Sequence, residues 1–169
     1  MEINVRDVPE QVVVLEQRMV DQAALQAWLP GAMKRVLDAA GQSAVGTGSL
    51  PFLERPAEPN EPVFIVIYEG NPNEGEVSVE VCTPVSGTPV SGEPADVTTR
   101  TIPAHREAYA RVTKATVESG GLGAVYGDSE AWVGANGFEI AAAPRETYWT
   151  DFYSAAPDGA VFDVAWPIR

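Results

Sequence analysis

The 169-residue sequence predicts an α+β domain made of two similar halves, each running strand, helix, strand, strand. Three observations carry this. The run Val63–Tyr68, "VFIVIY", is apolar at every position, as a strand covered on both faces must be. Leu25, Trp28, Leu29, Met33, Val36 and Leu37 recur mostly three or four residues apart, the period of an amphipathic helix. Finally, "VSVEVCTPV" (Val77–Val85) and "AVFDVAWPI" (Ala160–Ile168) share one pattern: an acid in mid-strand, then proline and a β-branched residue.

Taken in order, Gln11–Arg18 is rich in β-branched residues and reads as a strand. Asp21 is placed to cap the helix that follows, and Gly41 to stop it. Pro30-Gly31 inside that helix predicts a kink or a break into two. The proline-rich stretch 42–62 predicts an extended connection with a short strand near its start. "EGNPNEG" is a turn, and the alternation in "EVSVEVCTPV" predicts a strand with one buried face. "SGTPVSGEPADV" (Ser86–Val97) joins the halves, and neither half has enough core alone. One domain over 1–169 is expected, with repeat halves at about 5–88 and 96–169. In the second half a strand lies around "EAYARV". A glycine-rich helical stretch follows, with Asp128 or Ser129 capping a second segment and Asn136-Gly137 ending it. "FEIAAAPRETYW" is extended, "AAPDG" turns, and "AVFDVAWPI" closes the chain.

Composition excludes several functions. Net charge is −13, which opposes binding to nucleic acid phosphates or anionic membranes. No apolar run approaches the roughly 20 residues of a membrane helix. Cys82 is the only cysteine, so no internal disulfide forms, and a cytoplasmic location is the default. His105 is the only histidine, which argues against a histidine-rich metal site or a Ser-His-Asp triad and leaves a surface role. Cys82 reads as a small apolar strand residue, with a Cys82–His105 nucleophile pair as the remote alternative. "GGLGAVYG" lacks the Lys-Ser/Thr of a phosphate loop, and no metal or cofactor is expected.

The repeat, about eighty residues long, exceeds a solenoid unit and fits a pseudo-twofold domain. Two such units give one antiparallel sheet with helices on one side, and a groove is expected along the pseudo-axis on the opposite face. The order and spacing of "YEG", "EVSVEVCTPV", "IPAHREAYARV", "NGFEIAAAPRETYWTD" and "FDVAWPI" resemble the GyrI-like small-molecule-binding domain. That SHS2-type domain is also the effector-binding domain of multidrug-sensing MerR-type and AraC-type regulators. Two departures stand out: "TKATVESGG" replaces the family's Gly-Pro-Tyr-like turn, and no DNA-binding domain is present. A stand-alone member is therefore expected.

The resemblance implies a glutamate on the penultimate strand, walled by aromatics, that pairs with lipophilic cations; by motif position it is Glu146. A buried carboxylate is costly without a partner, and aromatic faces add about 0.5–2 kcal/mol of cation–π attraction. Strand alternation puts Glu146 and Tyr148 on one face, and Arg145, Thr147 and Trp149 on the other. Tyr68 holds the place of Tyr148 in the first half. Phe162 and Trp166 share a face that lines either core or groove, whereas Trp28, Trp132 and Phe138 read as core. Three functions follow. The first is capture of a cationic or amphipathic small molecule by Glu146, Tyr148, Tyr68, Trp166 and Phe162. The second is hydrolysis of reactive cyclopropane-type compounds, with Glu146 as general base and Tyr148 or Tyr68 as donor. The third is inhibition of DNA gyrase, in which the acidic chain has a protein as its partner.

Overall fold

A computed structural model describes residues 1–87 and 96–169, so most of the connection Ser86–Val97 lies outside the described residues. The strands are β1 (Ile3–Val8), β2 (Gln11–Val20), β3 (Phe64–Tyr68), β4 (Val77–Val85), β5 (Thr98–Ile102), β6 (His105–Thr113), β7 (Arg145–Tyr148) and β8 (Ala160–Ile168). They form one antiparallel sheet in the order β1-β6-β8-β7-β3-β4-β2-β5. That order is symmetric about its centre. β3 meets β7, and each further strand of one half has its counterpart at the same distance in the other.

The sequence reading missed one strand in each half. β1 precedes β2 in the chain but pairs with β6, and β5 precedes β6 but pairs with β2. Each half thus lends its first strand to the other. The signal was present: Arg6-Asp7-Val8-Pro9 recurs as Arg100-Thr101-Ile102-Pro103. An edge strand is short and half-solvated, so its apolar pattern is weak. β7 is also shorter than the extended stretch expected, with only an isolated bridge from Ile140 to Ile168 before it.

Helices α1 (Gln22–Ala40), α2 (Lys114–Glu118) and α3 (Leu122–Ala135) complete the fold. α1 starts where Asp21 Oδ1 accepts from the Ala24 N–H at 2.9 Å, and it stops at Gly41, whose φ of 53° suits glycine. It runs unbroken through Pro30, not as two helices. Leu25, Trp28, Ala32, Val36 and Ala40 form a buried stripe on both sides of the proline, packed with Val14, Val66, Val79 and Val81 of the sheet. That continuous contact outweighs one missing hydrogen bond. Glu16 adds a polar clamp, accepting from Trp28 Nε1 at 2.5 Å and Arg35 Nε at 2.6 Å. The arginine holds its pKa below the ordinary carboxylate value. Among the described residues, no helix is long and apolar enough to cross a membrane.

α3 covers the same face of the second half, against Ala108, Trp166 and Ile168. Neither Asp128 nor Ser129 caps a new segment there. Ser129 is fully buried in mid-helix, donates to Val125 O at 2.7 Å, and accepts from Trp166 Nε1 at 2.9 Å. Its hydroxyl meets the indole need of a buried tryptophan. Asn136 and Gly137 end the helix as expected from the sequence.

The other face differs between halves. In the first half it is mostly apolar, with Val13, Leu15, Ile65, Ile67, Cys82 and Ile102. β4 is accordingly buried on both faces from Val81 onward, not on one. In the second half the same face is ionic. Arg6 bridges Glu107 at 2.8 Å and Asp163 at 2.7 Å, and Arg111 reaches Asp163 at 3.2 Å. The repeat explains part of this: Arg100 pairs with Glu80 at 2.7 Å as Arg6 pairs with Asp163. Residues 42–62 are not an extended connection with a strand. They carry 3-10 turns at Gly41–Ser43, Thr47–Ser49 and Pro51–Leu53, with only isolated bridges at Ala44 and Gly46. This segment lies over the ionic network: Phe52 contacts Arg6, and Leu53 O accepts from Arg111 Nη2 at 2.7 Å.

Candidate functional site

The two central strands pair so that Val66 faces Glu146 and Phe64 faces Tyr148. Val66 and Glu146 occupy equivalent places in the two repeats, because each sits beside the matching valine of the next strand, Val81 or Val164. The pseudo-twofold axis therefore passes through this pair. Two residues further along each strand stand Tyr68 and Tyr148, and the axis brings both hydroxyls to one carboxylate. Two facing glutamates here would repel one another in a dry site; valine in the first repeat avoids this.

Glu146 is 4% exposed. Its Oε2 accepts from Tyr68 OH at 3.3 Å and from Tyr148 OH in a shorter bond. Its Oε1 accepts from Tyr126 OH at 2.7 Å. No cation pairs with it among the described residues. Burial pushes its carboxyl above the ordinary range, and the phenols from Tyr148, Tyr126 and Tyr68 pull it part of the way back. The three phenols shift upward in turn, chiefly through burial and then through the charge they face. They remain protonated donors at any ordinary pH.

Tyr126 comes from α3 and was not singled out in the sequence. Its signal is the stripe Leu122, Val125, Tyr126, Ser129 and Val133, which faces the sheet, but nothing in that spacing names a glutamate as partner. The expected aromatics are also here. Tyr148 packs on Phe162 with ring centroids 4.6 Å apart, and Tyr126 meets Trp166 edge-on at 6.2 Å. Phe162 and Trp166 are buried and support the tyrosines from behind. Tyr148 touches both the core beneath α1 and the core beneath α3, so the cluster lies at their seam.

This placement corrects one expectation. Glu146 and its tyrosines lie on the helix-covered face, between α1 and α3, and not on the opposite face. Alternation fixes which residues share a face but not which face the helices take. The opposite face holds Arg145 and Thr147 instead, both buried.

The other candidates are far apart. Cys82 on β4 and His105 on β6 are separated by three strands, roughly 19 Å at about 4.8 Å per strand. The Cys82 thiol is fully buried, and burial pushes its pKa up, away from nucleophilic use. His105 is tied to Pro103 O at 2.9 Å and Glu107 at 3.2 Å, at the margin of the ionic network and not on open surface. Trp28, Trp132 and Phe138 pack in or against the core clusters.

No family model matches the chain, and no curated protein matches it in sequence. Solved structures do match in fold. The EcmrR C-terminal domain superposes with a TM-score of 0.69 at 17% identity, covering 99% of this chain and 97% of that one. The chain spans 57% of EcmrR as seen in its DNA complex. SAV2435 bound to tetraphenylphosphonium matches with a TM-score of 0.61 at 11% identity, covering 100% of this chain and 94% of that one. A hydrolase from Listeria innocua matches with a TM-score of 0.54 at 9% identity, over 99% and 92% of the two chains. With its symmetric eight-stranded sheet and helices on one face, the chain has the GyrI-like fold that the sequence motifs resemble.

Proposed function

We propose that the chain binds small lipophilic cations at Glu146, with Tyr68 and Tyr148 as walls and Phe162 and Trp166 behind them. One observation carries this: a carboxylate 4% exposed, held by three phenols and paired with no cation among the described residues. A buried acid with only neutral donors has unmet electrostatic demand, and a desolvated cation meets it. Access requires at least one phenol to leave the carboxylate, and the rings then remain as cation–π surfaces. That a protein of the same fold, SAV2435, was solved with a lipophilic cation supports the choice of ligand class. Calorimetric titration with tetraphenylphosphonium is the test; absence of saturable binding by the folded protein sinks the reading.

A second reading rests on the same carboxyl. Its raised pKa suits a general base, and the tyrosine hydroxyls are donors for a leaving oxygen. A hydrolase of this fold from Listeria innocua gives that reading its place. Incubation with a cyclopropane-bearing alkylating compound distinguishes the two: catalytic turnover lost in Glu146→Gln favours hydrolysis, and saturable binding without product favours capture.

A further inference from the structure

A second site lies inside the curl of the sheet. β1 and β2 stand near opposite ends of the strand order, roughly 29 Å apart across a flat sheet at about 4.8 Å per strand. Only Pro9 and Glu10 join them, and from Val8 to Gln11 the chain reaches at most roughly 11 Å. The sheet must therefore curl until its ends approach. Pro103 and Ala104, between β5 and β6, impose the same closure. Within the curl, Gln11 of β2, His105 and Glu107 of β6, and Arg145 and Thr147 of β7 line one cavity of about 10 Å³.

Hydrogen-bond donors on this wall are left over. Arg145 is 7% exposed and joins no ion pair among the described residues. Its guanidinium spends one bond, from Nη2 to Ala143 O at 3.3 Å, and its Nε has no acceptor among the described residues. Gln11 is also 7% exposed, and its Nε2 has no acceptor there either. Thr147 adds a hydroxyl that bonds no described residue. The carboxylate on the wall, Glu107, is taken by Arg6 at 2.8 Å and by His105 at 3.2 Å. A guanidinium only donates and stays charged, and a buried charge without a partner is costly. Burial accordingly disfavours the charge on Arg145.

We infer that this cavity binds one monatomic anion, chloride by size, between the Arg145 guanidinium, the Gln11 amide and the Thr147 hydroxyl. Charge sets the class: a water accepts hydrogen bonds but leaves the guanidinium uncompensated, and a cation is repelled by it. Volume sets only an upper limit. A space of about 10–15 Å³ admits one particle near the size of water, so polyatomic anions do not fit. This inference does not rest on the Glu146 reading, because that carboxylate is on the other face of β7.

The test is thermal unfolding at constant ionic strength as chloride replaces gluconate, for wild type, Arg145→Met and Thr147→Val. An anion that binds only the folded chain raises its melting temperature as its concentration rises above Kd. Wild type is expected to gain on Arg145→Met as chloride increases, because the variant has no buried charge to answer. Thr147→Val keeps the side-chain shape, is expected to weaken chloride binding roughly tenfold, and decides the matter if Arg145→Met does not fold. Bromide is expected to act as chloride does, and acetate is not. Equal chloride responses in wild type and the folded variants overturn the inference and leave the cavity to water. An acetate response as large as that to chloride overturns the monatomic assignment.

Discussion

Replacing Glu146 by glutamine separates charge from shape. The glutamine carbonyl can accept from Tyr68 and Tyr148, and its amide can donate to the Tyr126 oxygen, so only the Tyr126 O–H loses its acceptor on residue 146. The fold is expected to persist. Burial raises the Glu146 pKa above the ordinary carboxylate value. A raised carboxyl favours the folded state fully below the unfolded pKa, and that contribution is lost as pH rises through the folded pKa. Glu146→Gln lacks this titration, so its melting temperature is expected to gain on wild type as pH rises above about 4.5. Binding tells more. Removing one partner of a buried charge pair costs about 2–5 kcal/mol, roughly 30- to 4,000-fold in Kd. Calorimetry should show that loss for tetraphenylphosphonium. Neutral triphenylphosphine oxide should change by less than roughly threefold, since its contacts are with the rings. Equal losses for both ligands would refute the reasoning, because they would mean the substitution damaged the pocket and not its charge.

Other substitutions probe the supports. Tyr126→Phe strips Oε1 of its donor and is expected to cost about 1–3 kcal/mol in urea unfolding, the penalty for a buried acceptor left unpaired. The same variant should raise the Glu146 pKa further, because one of the bonds that lowers it is gone. Arg6→Met leaves Asp163, 0% exposed, with Arg111 alone, and is expected to cost about 3–5 kcal/mol. A loss below roughly 1 kcal/mol would show that the ionic face is already hydrated and not a buried network.

The convergence of Tyr68 and Tyr148 was legible because strand alternation and an internal repeat are both local patterns. VFIVIY and RETY need only their own residues to declare which side chains share a face. The side taken by the helices was not legible, because it depends on the handedness of connections between elements and not on any one element. Tyr126 was missed for a related reason: a helix stripe announces burial, not the atom it meets. The strands β1 and β5 hid because their partners come from the opposite half of the chain. Their shared Arg-x-β-branched-Pro pattern makes sense only once Arg6 and Arg100 are seen reaching across a neighbouring strand to Asp163 and Glu80. The 3-10 turns of residues 42–62 follow from packing on that ionic face, which no short-range propensity encodes.

The most direct measurement is a carbon-13 NMR titration of the Glu146 carboxyl, assigned by its absence in Glu146→Gln, with and without tetraphenylphosphonium. In the free protein its midpoint should lie above the ordinary glutamate value, because burial opposes the charge. With the cation bound the midpoint should fall, because a positive neighbour stabilises the carboxylate, and affinity should rise with pH over the same interval. A midpoint at the ordinary value that ignores the ligand would contradict a buried, cation-seeking glutamate.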